Sequence, residues 1–282
     1  MKRTISLLSL TAGAILFTFS SCKKGYEIIH NPDGHPSPCQ ITKFDIQSFY
    51  FTPDEYVIGY NAAGNPDSMI DIHPIDNLGN PRYFFRYDSL NRLTDWMITN
   101  QPYSTTGGYF AFSWHKYEYV HPNYITDTMI TYAGDVRGPR PIASATLTTN
   151  TVKAYTLDIY GRISKIWSLR EANGPDHAPV LLTTNNYDTN GNLPLTDTSL
   201  TYDNKINYYR TNKVWEFIFN NYSRNNIVKK NSTFTPVYNT YWFPTSLENY
   251  DPFSVRPFGV INNSLTLDIT YACSMDHGPV DY

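Results

Sequence analysis

One seven-residue pattern recurs along this chain and restricts what it can fold into. It opens on an apolar or aromatic residue, places Asp or Asn second, leaves two positions open and puts Gly or Asn fifth. Asn or Arg follows, and Leu, Ile or Pro closes the unit. Five copies fit: Tyr60–Pro66 (YNAAGNP), Ile75–Pro81 (IDNLGNP), Tyr87–Leu93 (YDSLNRL), Leu157–Ile163 (LDIYGRI) and Tyr187–Leu193 (YDTNGNL). An Asp or Asn side chain in the second position accepts from a backbone N–H two residues on, which closes an Asx-turn. The fifth residue enters the positive-φ region, which Gly and Asn tolerate. The flanking runs, such as EYVIGY (55–60) and YFFRY (83–87), are short and β-prone, as hairpin arms are. The unit therefore predicts antiparallel hairpins, and it assigns Asp76, Asp88, Asp158 and Asp188 to turn formation before any chemistry.

Composition extends the same reading. The chain holds 24 Tyr, 15 Phe and 5 Trp, and aromatic side chains suit a pleated, half-buried surface. The expected fold is all-β: a curved antiparallel meander of hairpins, either barrel-like or an open half-barrel. A membrane-spanning barrel is not expected, because its strands alternate apolar residues outward over about 10 positions. Here the runs are shorter and carry Arg86, Glu118 and Arg162.

The N-terminus addresses the compartment. Lys2 and Arg3 precede an apolar stretch from Ile5 to Phe19, shorter than the roughly 20 apolar residues a membrane helix needs and in keeping with a secretory leader. Phe19-Ser20-Ser21-Cys22 then reads as a relaxed lipobox, which makes Cys22 the lipidation site. The expected organisation is a signal peptide over 1–21, a lipidated cysteine and flexible tether over 22–38, and a single antiparallel β domain over 39–282. The lipid would be the membrane partner and would hold the protein in the cell envelope, at the outer membrane. Lys23-Lys24-Gly25 is not an acidic run, which favours the periplasmic side. Loss of Lys2 and Arg3 with the leader moves the formal net charge from -3 to -5, and that mild acidity argues against a nucleic-acid partner. Two cysteines remain, Cys39 and Cys273. In an oxidising envelope they are candidates for a disulfide; the alternative is two buried free thiols.

The repeated unit resembles the YD repeat of RHS-type proteins, although the copies are few and unevenly spaced. Taken with other segments, the chain resembles the Bacteroidota lipoproteins that carry a porin-like β domain of unknown function. The segments are Cys39-Gln40-Ile41-Thr42, Tyr202-Asp203-Asn204-Lys205-Ile206-Asn207-Tyr208-Tyr209, Tyr222-Ser223-Arg224-Asn225-Asn226-Ile227, Tyr241-Trp242-Phe243-Pro244-Thr245-Ser246 and Thr270-Tyr271-Ala272-Cys273. Tyr208 stands where that family usually has Pro. The resemblance implies an exported, lipid-anchored curved antiparallel sheet or barrel-like meander, and it implies no known chemistry.

Nor do the residues themselves supply a catalytic motif. A nucleophile elbow, an H-E-x-x-H pair, a P-loop and a paired-cysteine zinc pattern are all absent from the sequence, so no catalytic residue, metal or cofactor is expected. One arrangement stands out. On a strand, His115, Tyr117, Tyr119 and His121 share a face by the period of two, giving a ligand platform, half a metal site or an ordinary aromatic packing face. His35 and His277 sit in Gly/Pro-rich segments and read as loop residues. The expected function is that of a non-enzymatic binding or structural scaffold for a glycan, peptide or protein partner. The alternative is a periplasmic carrier holding an apolar ligand inside a barrel, which a substantial internal cavity would favour. A His–carboxylate cluster containing His115 or His121 would instead point toward catalysis.

Overall fold

Each turn unit closes through the side chain in its second position. In a computed structural model, residues 39–47, 54–72, 80–101, 110–131, 149–171, 174–248 and 266–273 are described. Cys22 with the leader and tether, His35, His277 and residues 75–79 of the second unit lie outside them. Asp88 Oδ1 accepts from the backbone N–H groups of Leu90 and Arg92, at 2.9 Å each. Asp158 does the same for Tyr160 and Arg162, Asp188 for Asn190 and Asn192, and Asn61 for Ala63 and Asn65. Gly64, Asn91, Gly161 and Gly191, the fifth residues, all have positive φ between 58° and 80°.

The seventh residue has a role that its apolar character does not announce: its backbone carbonyl accepts from a tyrosine elsewhere in the fold. Tyr87 donates to Pro66, Tyr119 to Leu93, Tyr187 to Ile163 and Tyr202 to Leu193. Arginine in the sixth position stacks on the same tyrosine, Arg92 at 4.4 Å from the Tyr119 ring and Arg162 at 3.9 Å from Tyr187. Each tyrosine thus ties the end of a turn unit to another part of the fold, with an apolar ring inside and a hydroxyl on a turn carbonyl.

The hairpins assemble into one sheet. Strands β1 (Cys39–Gln47), β2 (Asp54–Tyr60), β3 (Pro66–Asp71), β4 (Asn80–Tyr87) and β5 (Leu93–Gln101) run in order. They continue through β6 (Phe110–His121), β7 (Tyr124–Thr131), β8 (Thr149–Leu157), β9 (Ile163–Arg170) and β10 (Asp176–Thr184). The chain then leaves the sheet for a separate hairpin, β11 (Leu200–Ile206) and β12 (Asn225–Lys229), which brackets a 3-10 turn (Tyr208–Thr211) and a short helix, α1 (Lys213–Ile218). It returns through β13 (Val237–Tyr238), β14 (Pro244–Glu248) and β15 (Thr266–Cys273), with β15 beside β1. The 13-stranded antiparallel sheet runs β10 to β1, then β15, β14 and β13, and is open: β10 and β13 are its two edges. Of the two shapes the sequence allowed, the open one forms.

The excursion between β10 and β13 fills the sheet's inner face. Trp215 is 0% exposed; its ring lies 6.3 Å from Phe44 on β1 and 5.7 Å from Phe85 on β4. Phe217, two residues on, lies 5.0 Å from Tyr117 on β6 and 5.6 Å from Tyr155 on β8. In a flat sheet β1 and β8 would stand about 33 Å apart, at roughly 4.8 Å per strand. Two residues of one helical turn reach both, so the sheet bends around the helix. The plug has little regular structure of its own and is held by side-chain caps: Asn207 accepts from Tyr209 N–H and Asn212 from Val214 N–H. Asn212 also donates to Gly64 O in the first turn unit.

Cys39 and Cys273 face each other in the β1–β15 register and form a disulfide across a sequence separation of 234 residues. On the chain-entropy account, closing a loop of that size stabilises by about 5 kcal/mol.

Two expectations follow from this architecture. Trp215→Ala should lower unfolding free energy by about 3–5 kcal/mol, read from urea denaturation; an unchanged midpoint would mean that the helix does not seal the sheet. The second concerns alkali. Burial pushes the Tyr119 hydroxyl up to about 12, raises Tyr60, Tyr87 and Tyr187 further and holds Tyr271 well above its ordinary value. A folded pKa above the unfolded value of about 10 contributes stability that is complete below pH 10 and is lost as pH rises beyond it. Absorbance at 295 nm should therefore show these buried tyrosines ionising in one steep step above pH ~11, together with loss of the β-sheet dichroism. Smooth titration of all 24 tyrosines near pH ~10 would contradict the hydroxyl–carbonyl ties.

Candidate functional site

The four-residue platform is divided by its surroundings. Tyr117 is 5% exposed, with Phe217 of the plug edge-on to its ring. Tyr119 is bound to Leu93 O and covered by Arg92. His115 stacks on Trp96 at 4.7 Å, and its Nδ1 lies 3.0 Å from Asp127 Oδ1. His121 is exposed and lies beyond a register shift after Tyr119, so the alternation that would align it with the others is broken. The chain itself occupies the middle of this face.

His115 does pair with a buried carboxyl. Asp127 also accepts from Tyr155 at 2.9 Å. Among the described residues the hydrogen bonds of His115 go to Asp127 alone, and no serine or cysteine joins them. A second polar group, invisible in the sequence, lies between β9 and β10. The Ser168 hydroxyl donates to Glu171 at 2.8 Å and sits 3.4 Å from His177 Nε2, whose Nδ1 faces Ala178 O. A nucleophilic serine needs the histidine between itself and the acid; here the serine is in the middle. Among the described residues no group of three or more His, Cys, Asp or Glu side chains is placed to hold a metal ion.

A more open arrangement is built where the β11–β12 hairpin meets the β13–β14 edge. Two segments that carry the family resemblance meet here. Asp203 Oδ1 accepts from the N–H groups of Lys205 and Asn226, and Oδ2 accepts from Asn226 Nδ2 and from the Tyr238 hydroxyl, the last at 2.6 Å. Asn225 donates to Lys205 O at 2.9 Å. Burial first, and then the bond to Asp203, push the Tyr238 hydroxyl well above its ordinary value, so it remains a neutral donor. Beside this network lies a hollow of about 170 Å³ lined by Asp203, Lys229, Ser232, Phe234, Tyr238 and Glu248. Ser232 donates to Glu248 across it at 2.6 Å.

The turn that follows Tyr238 is a further copy of the repeated unit, which the composition rule passes over. Asn239 accepts from Tyr241 and Phe243 N–H, its own N–H reaches Phe243 O, and Pro244 O in the seventh position accepts from Tyr271. The fifth position holds Trp242 with φ 70°. First, second and seventh residues match the pattern, which is the signal that could have found it. Trp242 is 47% exposed, and Lys205 Nζ lies 3.5 Å from its ring and 6.0 Å from that of Tyr238.

No known family model matches this sequence, and no curated protein does. No helix among the described residues is long and apolar enough to cross a membrane.

Removing the carboxyl at position 203 strands four donors at once. Asp203→Ala should cost about 3 kcal/mol and Asp203→Asn distinctly less, since one oxygen still accepts; both are read by chemical denaturation. Equal midpoints for wild type and Asp203→Ala would show that the network does not hold the hairpin.

Proposed function

We propose that this chain is an exported envelope lipoprotein, anchored through Cys22, whose folded part is a non-catalytic scaffold that binds a glycan. One observation carries the reading. The aromatic inner face is filled by the chain's own Trp215 and Phe217, so recognition falls to the outer hollow, where aromatic rings stand among hydroxyl, carboxyl and ammonium groups. Sugars are recognised by that mixture, an apolar ring surface with convergent polar partners. The Cys39–Cys273 bridge supports an oxidising compartment, and the recurring turn geometry supports the resemblance to the Bacteroidota lipoproteins with a porin-like β domain.

Binding without turnover is favoured by the state of the carboxyls. Glycoside hydrolysis uses two carboxyl groups free to act as acid and as nucleophile or base. Asp203 accepts four hydrogen bonds on its two oxygens, and Glu248 holds Ser232. The carrier alternative gains no support from the inner face, which is packed with side chains. The His115–Asp127 pair favours a second reading, an enzyme using His115 as general base, and that reading lacks a nucleophile at hydrogen-bond distance.

The test begins with the full chain expressed in a diderm host. Mass spectrometry should find a diacylglyceryl group on Cys22 and membrane-fraction protein, and Cys22→Ser should release it in soluble form. Purified protein, applied to parallel arrays of envelope glycans and peptides, should retain glycans and leave them intact. An unmodified Cys22 would overturn the anchor, peptide-only retention would overturn the glycan, and product formation would overturn the scaffold.

A further inference from the structure

The fifth position of the turn unit needs a residue that accepts positive φ. Gly64, Asn91, Gly161 and Gly191 meet that need in the other described units. A bulky side chain there is strained, because Cβ crowds the following carbonyl, at about 1–2 kcal/mol per residue. Trp242 sits there nonetheless, and its ring is not buried to compensate: it is 47% exposed. Backbone strain of this kind persists where surrounding structure enforces it and tends to mark functional positions. The enforcement is visible. Asn239 closes the turn at both ends, and Trp242 O accepts from Ile206 N–H at 3.3 Å.

The strain holds an indole in a defined place. Lys205 Nζ, 3.5 Å from the ring, covers one face, and the residue as a whole stays 47% exposed. The same ammonium lies 6.0 Å from the Tyr238 ring, so the Trp242 and Tyr238 rings are within roughly 10 Å of one another. Tyr238 lines the hollow with Ser232, Glu248 and Lys229. An aromatic plate beside a small hollow that presents hydroxyl, carboxyl and ammonium groups matches a pyranose ring, which offers an apolar C–H face and a rim of hydroxyls.

We propose that Trp242 is the stacking platform of a pyranose-binding subsite, with the adjacent hollow taking hydroxyls of the same or the next sugar unit. The ligand class is a neutral, hydroxyl-rich oligosaccharide, two or more units long to cover plate and hollow together. Lys205 is a positioning residue: it holds the indole from behind, and its ammonium polarises the ring. This inference rests on the glycan reading above and assigns that reading a place.

The backbone conformation supplies a discriminating experiment. A structural tryptophan, once removed, destabilises a protein; this one occupies a position that glycine fits better. Trp242→Gly in the full chain should leave the thermal midpoint unchanged or raise it, while weakening oligosaccharide binding at least tenfold. Trp242→Phe should retain part of the affinity. Binding is read by isothermal titration calorimetry against hexasaccharides of α- and β-linked glucose, mannose and galactose, and by quenching of the indole fluorescence that Trp242→Gly removes. Sugar binding that persists at full strength in Trp242→Gly, or a lowered midpoint in that variant, overturns the subsite and leaves the glycan reading standing. Absence of sugar binding by the wild-type chain overturns both.

Discussion

The packing of Trp215 and Phe217 against four widely spaced strands is the interaction on which the rest of the structure depends. An open antiparallel sheet with an aromatic face is not stable with that face in water, and the excursion between β10 and β13 is what covers it. Here the chain departs from the sheet after β10, inserts a six-residue helix and returns to the opposite edge. The helix is too short to be stable alone, and the sheet is too exposed without it. Each makes the other possible, and the bend of the sheet is the geometry that lets two side chains serve β1, β4, β6 and β8.

Much of this was legible in the sequence, and the reasons are local. The turn unit is written in residue types that answer to backbone physics: an Asx acceptor second, a positive-φ residue fifth. Those rules need no knowledge of the partner strand, so the hairpins and the all-β class could be read directly. The pairing of Cys39 with Cys273 was an expectation from compartment and count, and the strand register places the two opposite one another. The plug was not legible. Helix α1 spans six residues, less than two turns, which leaves no room for an amphipathic period to appear. Its aromatic residues are indistinguishable by composition from those of the strands.

The platform residues show the same limit. Alternation correctly groups His115, Tyr117 and Tyr119, but it says nothing about what lies above the face, and Phe217 arrives from a hundred residues away in the chain. A single extra residue before His121 breaks the period. Trp242 escaped for the opposite reason: the rule that found the other turns demands Gly or Asn in the fifth position, and the copy of most chemical interest is the one that violates it. Local rules find the turns whose fifth residue suits a positive φ and miss the one whose fifth residue does not.

The disulfide has a mechanical consequence. It joins β1 to β15 at the rim where Tyr271 reaches Pro244, and β15 is hydrogen-bonded to β14, the strand that begins two residues after Trp242. Tension applied between the chain ahead of Cys39 and a ligand held at Trp242 would travel through that turn, β14, β15 and one covalent bond. Strands β2 to β10 and the helical plug lie off the line of force. A molecule held by its first residues could be pulled hard at this rim with the bulk of its fold bearing none of the load.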